Sequence, residues 1–281
     1  MIRLIFPAIA MLLATGCANG NADAAGDDGR PTDQFTTTPI VLAPSEERYV
    51  CWSIVLDSPL AVVGLEPHLS PLALHHYAVF ASDEPAPPTM TAYDCGSVGA
   101  AHGIFSGEGH GEPTLAFPAG VALPLPRGQH VVLQEHLLNT STSDVTVPAA
   151  SMSLRTVSGP YLAAAMMSVT SGSFVVPARS RATVTGETPA PMGATRLFAV
   201  FPQMRDLGTH VTLAVARGGV LVDASFSAAD PVVFPVAADL RAGDAISLTC
   251  DFVNPSDRTV ASGATSDQET CAASLFSYEP N

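Results

Sequence analysis

The chain contains no lysine: its 12 basic residues are all arginine, against 26 acidic ones, for a net charge of −14. Nowhere do the arginines cluster. Nucleic-acid binding needs a basic face to neutralise phosphates, so a nucleic-acid partner is excluded from the expectations. Also missing is any long apolar run. The longest stands at residues 4–14, behind Arg3, and is too short to span a bilayer, which takes about 20 residues. No segment carries sustained helical periodicity, and no nucleotide loop, nucleotide fingerprint or Gly-x-Ser-x-Gly element is present.

What is present at the N-terminus reads as a targeting segment. The apolar run ends in Leu13-Ala14-Thr15-Gly16-Cys17, small residues directly before a cysteine. This resembles a bacterial lipobox with Ala14 in place of the more usual Leu or Val, and predicts lipidation at Cys17. The expected location is the bacterial cell envelope, anchored through lipid to the outer membrane or a periplasm-facing membrane. Residues 18–36, rich in Gly, Asn, Asp and Ala, read as a flexible tether.

Setting Cys17 aside leaves Cys51, Cys95, Cys250 and Cys271. An even number in an exported chain points to two disulfides. Three connectivities are open; the expectation is Cys51–Cys95 and Cys250–Cys271, one bridge in each half. The rest of the chain is short apolar or alternating runs broken by 24 Pro and 22 Gly. Strands are expected at 48–56, 61–66, 75–81, 131–138, 151–157, 182–186, 196–201, 210–217, 220–226, 245–253 and 273–278. Many short strands between turns predict antiparallel sandwiches or barrels. Ser158-Gly159-Pro160 is the expected hinge, giving a signal peptide with its lipobox cysteine (1–17), the tether (18–36), an N-terminal domain (37–157) and a C-terminal domain (158–281). No internal repeat is visible in the sequence.

Chemistry is concentrated in a few histidines. His75-His76 opens a strand, where neighbouring side chains point to opposite faces, so the two can share a metal only if the backbone is irregular there or if they use different ring nitrogens. Leu133-Gln134-Glu135-His136 lies in a strongly apolar strand, with Gln134 and His136 on one face. Together His75, His76 and His136 would make a three-imidazole site suited to copper or zinc. His102 and His110, in a Gly-rich stretch at 101–111, read as solvated loop residues or auxiliary metal contacts. His68, His130 and His210 have no assigned role.

The motifs, taken in order, resemble a known family. Tyr49-Val50-Cys51-Trp52, Val62-Val63-Gly64-Leu65-Glu66-Pro67-His68, His75-His76 and Asp94-Cys95-Gly96 are followed by Leu133-Gln134-Glu135-His136 and Ala164-Ala165-Met166-Met167-Ser168-Val169. Cys250-Asp251-Phe252 and the stretch Gly263-Ala264-Thr265-Ser266-Asp267-Gln268-Glu269-Thr270-Cys271 complete the series. This succession, over about residues 45–280, resembles the copper type II, ascorbate-dependent monooxygenases, among them the peptidylglycine α-hydroxylating and dopamine β-monooxygenases.

The resemblance implies an all-β fold of two antiparallel jelly-roll β-sandwich domains in tandem, facing each other across a cleft. It implies that His75, His76 and His136 bind one electron-relaying copper, with Gln134 behind them or in the cleft. It also implies a loss. At the family's O₂-activating copper, the positions of a His-x-His pair and a methionine hold Gln203, Arg205 and Thr270. An arginine cannot deprotonate to bind a cation, and threonine has no sulfur for soft copper. Met204 should face away from Gln203 and Arg205. Phe201 stands where the peptide-amidating members keep a substrate-binding arginine.

The reading is a copper-binding exported lipoprotein with one copper per chain. It would hold or transfer copper, or relay electrons to a redox or copper-transfer partner protein. The alternatives are a copper-dependent monooxygenase or oxidoreductase with an atypical or single site, and a structural or carbohydrate-binding double jelly-roll module.

Overall fold

The computed structural model describes residues 33–82, 92–95, 101–108 as backbone, 115–228, 232–263, 265 and 267–280. Cys17 and His110 lie outside the described residues, as does the side chain of His102.

The first half runs through β1 (Asp33–Thr36), β2 (Ile40–Leu42), β3 (Glu47–Val55), β4 (Leu60–His68), β5 (Leu74–Ser82), β6 (Tyr93–Asp94), β7 (Ala101–Glu108), β8 (Val121–Leu125), β9 (His130–Leu138), β10 (Val145–Val147) and β11 (Ser151–Thr156). The second runs through β12 (Leu162–Thr170), β13 (Val175–Val176), β14 (Ser180–Pro189), β15 (Thr195–Gln203), β16 (Gly208–Val215), β17 (Gly219–Ser225), β18 (Phe234–Leu240), β19 (Ala245–Asn254), β20 (Val260–Ala261) and β21 (Ala272–Tyr278). The protein is all-β, and each expected strand has a counterpart here.

The strand order repeats. One sheet of the first half runs β1-β11-β4-β8, and its counterpart in the second runs β12-β21-β15-β18. The opposing sheets run β3-β9-β5-β7, with β6 added at the β3 edge, and β14-β19-β16-β17. Two sheets with this order make an antiparallel jelly roll, so the halves share one topology. They also share a sheet: β8 and β12 pair in parallel, Leu162 opposite Val121, joining the two four-stranded sheets into one of eight.

A side-chain knot repeats with the topology. After β9, Asn139 donates from Nδ2 to the carbonyls of Leu42, Ala43 and Ser143 at 3.1, 2.8 and 2.9 Å. Its Oδ1 accepts from the Ser141 amide and hydroxyl at 2.9 and 2.8 Å. After β19, Asn254 donates to Val176, Pro177 and Arg258 at 3.1, 3.0 and 2.8 Å, and accepts from the Ser256 amide and hydroxyl at 3.0 and 2.7 Å. Each asparagine ties its turn to the end of the second strand of its half, β2 or β13. The expectation of no internal repeat is thereby corrected. The shared signature is sparse: Asn139-Thr140-Ser141 against Asn254-Pro255-Ser256, with Gly128 against Gly243, at φ 81° and 75°, and Leu133 against Leu248 at the same spacings, because a jelly roll constrains hydrogen bonding and alternation far more than side-chain identity.

Burial explains the apolar runs. Strand β19 alternates buried and half-buried positions, as a strand with one covered face should. Strand β15 is different: Leu197-Phe198-Ala199-Val200-Phe201 is buried throughout. Leu197 and Val200 pack in the second half's core, while Phe198 and Phe201 pack with Phe276 in the first half's core. A strand covered on both faces reads as a continuous apolar run. Phe201 is thus a packing residue between the halves.

Two further expectations are corrected. Residues 33–36, placed in the tether, form β1 on β11, because Phe35 is fully buried in the core and its neighbours can complete a ladder. Residues 101–108, placed in a loop, form edge strand β7 on β5, so His102 sits in a strand. Glycines do not prevent pairing where a neighbouring strand offers a full row of backbone partners. Residues 157–161, around the expected hinge, lead directly into the β8–β12 pairing, with Gly159 at φ 99°.

Both expected disulfides, Cys51–Cys95 and Cys250–Cys271, are formed.

Candidate metal centre

The centre is built on an irregularity in β5. Along β5–β9 the register passes from Leu74 opposite Leu137 to His76 opposite His136, leaving His75 as an extra residue. Such a bulge breaks the alternation that would send adjacent side chains to opposite faces. This is the irregular backbone that a shared metal requires of adjacent strand residues: the His75 and His76 Nδ1 atoms are 3.2 Å apart. Just before the bulge, Ala73 holds a φ of 60°, a left-handed conformation uncommon for a residue with a Cβ. Its carbonyl accepts the Leu138 amide at 2.7 Å, which fixes the entry of β5 against the end of β9.

His136 completes the cluster, its Nδ1 3.2 Å from that of His76. One ring nitrogen from each of His75, His76 and His136 lies within 4.8 Å of the others. With metal–imidazole bonds of about 2.0 Å, two ligands of a tetrahedral ion stand about 3.3 Å apart. The two 3.2 Å spacings fit one small ion, and a donor set of imidazole nitrogens suits copper or zinc.

Burial favours the neutral form of two of the three imidazoles, His136 and His76. His136 is fully buried. Burial pushes its pKa down to about 4, against the raising effect of its hydrogen bond to Glu47 and with further lowering by His75 and Arg205. Burial likewise holds His76 well below the ordinary imidazole value, assisted by His136, Arg205 and His75. The His136 Nε2 lies 2.7 Å from Glu47 Oε1. A neutral imidazole donates that proton to the carboxylate, which leaves Nδ1 as a lone pair aimed at His76. Tyr49, opposite His136 in the β3–β9 register, stacks on its ring at 4.1 Å and 5°.

The neighbours of His136 in β9 do other things. The Gln134 amide sits on the Cys51–Cys95 disulfide, 3.4 Å from Cys95 Sγ. Glu135 points to the core face beside Val50 and Tyr77. It is 4% exposed with Oε1 unpartnered, and burial pushes its pKa up to about 7.

Gln203, Arg205 and Thr270 each have partners of their own. Gln203 Nε2 donates to Ser274 Oγ at 3.4 Å, and Thr270 Oγ1 to the Gly263 carbonyl at 3.4 Å. Met204 is fully buried in the second half's core. Arg205 is buried, donates to the Thr265 carbonyl and hydrogen-bonds Tyr49. Instead of standing across a cleft from the histidines, Arg205 reaches the ring that stacks on one of them. The loop is held by Glu269, whose carboxylate accepts the amides of Arg205, Leu207 and Thr270 at 3.1, 2.8 and 3.2 Å. Burial raises the pKa of Glu269 against the lowering effect of those three bonds.

Sequence reasoning missed Glu47, Tyr49 and Glu269 as parts of this arrangement. Glu47 and Tyr49 share a face of β3 by alternation, a signal that the sequence carried once Tyr49 and His136 were known to pair.

The second half has the same irregularity. Along β16–β19 the register passes from Gly208 opposite Phe252 to His210 opposite Asp251. Counted back from the two knot asparagines, Asp251 matches His136, and across the bulge His210 matches His76. There the imidazole stands between carboxylates, Nε2 3.2 Å from Asp223 and Nδ1 3.8 Å from Asp251. Its side chain is 37% exposed, against 0% for His136.

No family model and no curated protein matches the chain. Among solved structures, the major capsid protein P2 of bacteriophage PM2 is similar at 8% identity and a TM-score of 0.38, covering 89% of this chain and 98% of that one. Allantoicase is similar at 11% identity and TM-score 0.27, covering 87% of this chain and 84% of that one. The VP2 subviral particle protein of infectious bursal disease virus is similar at 9% identity and TM-score 0.25, covering 88% and 71%. At these scores the likenesses carry no argument about function.

Proposed function

We propose that the protein is a copper-binding exported lipoprotein related to the copper type II monooxygenases, which keeps the electron-relay site and has lost the O₂-activating one. The observation that carries the reading is the convergence of three ring nitrogens from His75, His76 and His136 within 4.8 Å of one another. The resemblance in motif order selects copper among the metals that such a donor set takes. The first-row affinity order also favours Cu(II) over Zn(II) at nitrogen sites.

Copper held there would supply one-electron chemistry. The chain's own part is to keep His76 and His136 neutral by burial, to fix the His136 tautomer through Glu47 and to hold its ring under Tyr49. Arg205 carries a permanent positive charge where the family has a copper ligand, so a second copper at that position would be repelled. The reading is therefore copper storage, copper transfer or single-electron relay to a partner protein at the cell envelope, with anchoring through Cys17.

Metal analysis after dialysis against copper tests it. One copper per chain is expected, absent from His136→Ala and retained in Gln203→Ala and Thr270→Ala. Two coppers per chain, none, or zinc retained in preference to copper would overturn the reading.

A further inference from the structure

We infer that Arg205 biases the trihistidine centre toward monovalent copper, so that the loop which replaced the second metal site now sets the oxidation state held at the first. This inference rests on the copper reading above. Three neutral imidazoles bring no negative charge to the ion they surround. A divalent ion therefore leans on whatever fixed charges lie near it. Arg205 cannot lose its proton, and it is 8% exposed, so solvent and salt screen it poorly.

Its guanidinium is anchored by the Thr265 carbonyl and by Tyr49, whose ring stacks on His136 at 4.1 Å. One aromatic ring thus separates the permanent cation from a metal ligand. A fixed positive charge one ring away from a ligand opposes a second unit of positive charge on a bound metal.

Three carboxylates lie in this neighbourhood; Asp267 is exposed, accepts the Thr265 hydroxyl and lies 3.8 Å from Arg258, so water and Arg258 offset its charge. Glu269 accepts three backbone amides, which offset its charge. Glu47 sits on the far nitrogen of His136 and acts in the opposite sense to Arg205, favouring the divalent ion. Its side chain is 29% exposed, so water screens it more than it screens Arg205.

The test is a pair of anaerobic competition titrations on the full chain. One uses copper(I) supplied as its acetonitrile complex against bicinchoninate; the other uses copper(II) against glycine. Arg205→Gln should lower the ratio of Cu(I) to Cu(II) affinity at least tenfold, equivalent to 59 mV of one-electron potential. Arg205→Lys, which keeps the charge, should retain most of the ratio. Glu47→Gln should raise it, and decides the question independently if Arg205→Gln does not fold. A ratio unchanged in Arg205→Gln, or in Glu47→Gln, would overturn the inference and leave the copper reading standing. Copper bound in neither state by the unaltered protein would overturn both.

Discussion

The two halves use one scaffold to opposite ends. Each bulges the strand opposite its β9 or β19 partner at the same distance from a knot asparagine, and each places a histidine across from the matching position. In the first half, three imidazoles and a stacked tyrosine close over the bulge, with an arginine from the other half behind them. In the second, Thr209 and Asp251 stand where His75 and His136 stand, and His210 lies half in solvent between two aspartates. A bulge can bring adjacent side chains to one side, but the contrast teaches that it does not make a metal site by itself. Burial keeps His76 and His136 neutral, and the first half receives the charge of Arg205 from the second.

The largest expected effect breaks the comparison at its centre. His76→Ala should weaken copper binding at least 100-fold, because the remaining pair has lost the ring that each of them faces at 3.2 Å. His210→Ala should leave copper stoichiometry and affinity unchanged. Equal losses in both variants, read by competition titration, would mean that the halves do not differ as argued.

The knots should behave alike. Asn139→Ala and Asn254→Ala each strand buried carbonyls and a serine hydroxyl, at about 3 kcal/mol apiece for several bonds lost at about 1 kcal/mol each. Denaturant unfolding checks this. A loss confined to one half would sink the idea that the knots are equivalent supports.

A pH experiment sharpens the contrast between Glu135 and its counterpart, Cys250, which is disulfide-bonded and does not titrate. The Glu135 carboxyl is raised from 4.5 to about 7, so the stability tied to its neutral form is complete below pH 4.5 and lost as pH rises through 7. Glu135→Gln should thus gain on the unaltered protein by about 3 kcal/mol between pH 4.5 and pH 8, from about 2.5 pKa units at 1.36 kcal/mol each. His136 works in the other direction: depressed to about 4, it makes the metal-free fold lose stability as pH falls from 6.5 toward 4. Thermal melts of both proteins across that range separate the two; a difference that does not change with pH would rule out the buried neutral acid.

The smallest effect concerns the disulfides. Cys51–Cys95 closes 44 residues and Cys250–Cys271 closes 21. On chain entropy alone, replacing the first pair by serine should be the more destabilising by about 0.7 kcal/mol. The reverse order in calorimetry would point to enthalpic differences between the halves.

The sequence by itself determined what is local or nearly so. Alternation and turn residues marked most strands, because period-two burial is written in the residues of one strand. An even number of cysteines beyond the N-terminal segment, one pair to each half, was enough to suggest both disulfides. The motif order brought His75, His76 and His136 together on one line of reasoning. Strand β1 escaped because its partner β11 is more than a hundred residues away, and β7 because its glycines look like a loop until β5 lies beside it. The repeat escaped because backbone pairing conserves hydrogen bonds and leaves side chains free to differ. Only the tertiary structure decided how the three imidazoles meet. A one-residue bulge in β5 overrode the alternation that predicted divergence, Glu47 fixed a tautomer from the next strand, and Arg205 arrived from the other half of the chain. Each of these is a register or a contact between distant segments, and a register is a property of two strands that neither carries alone.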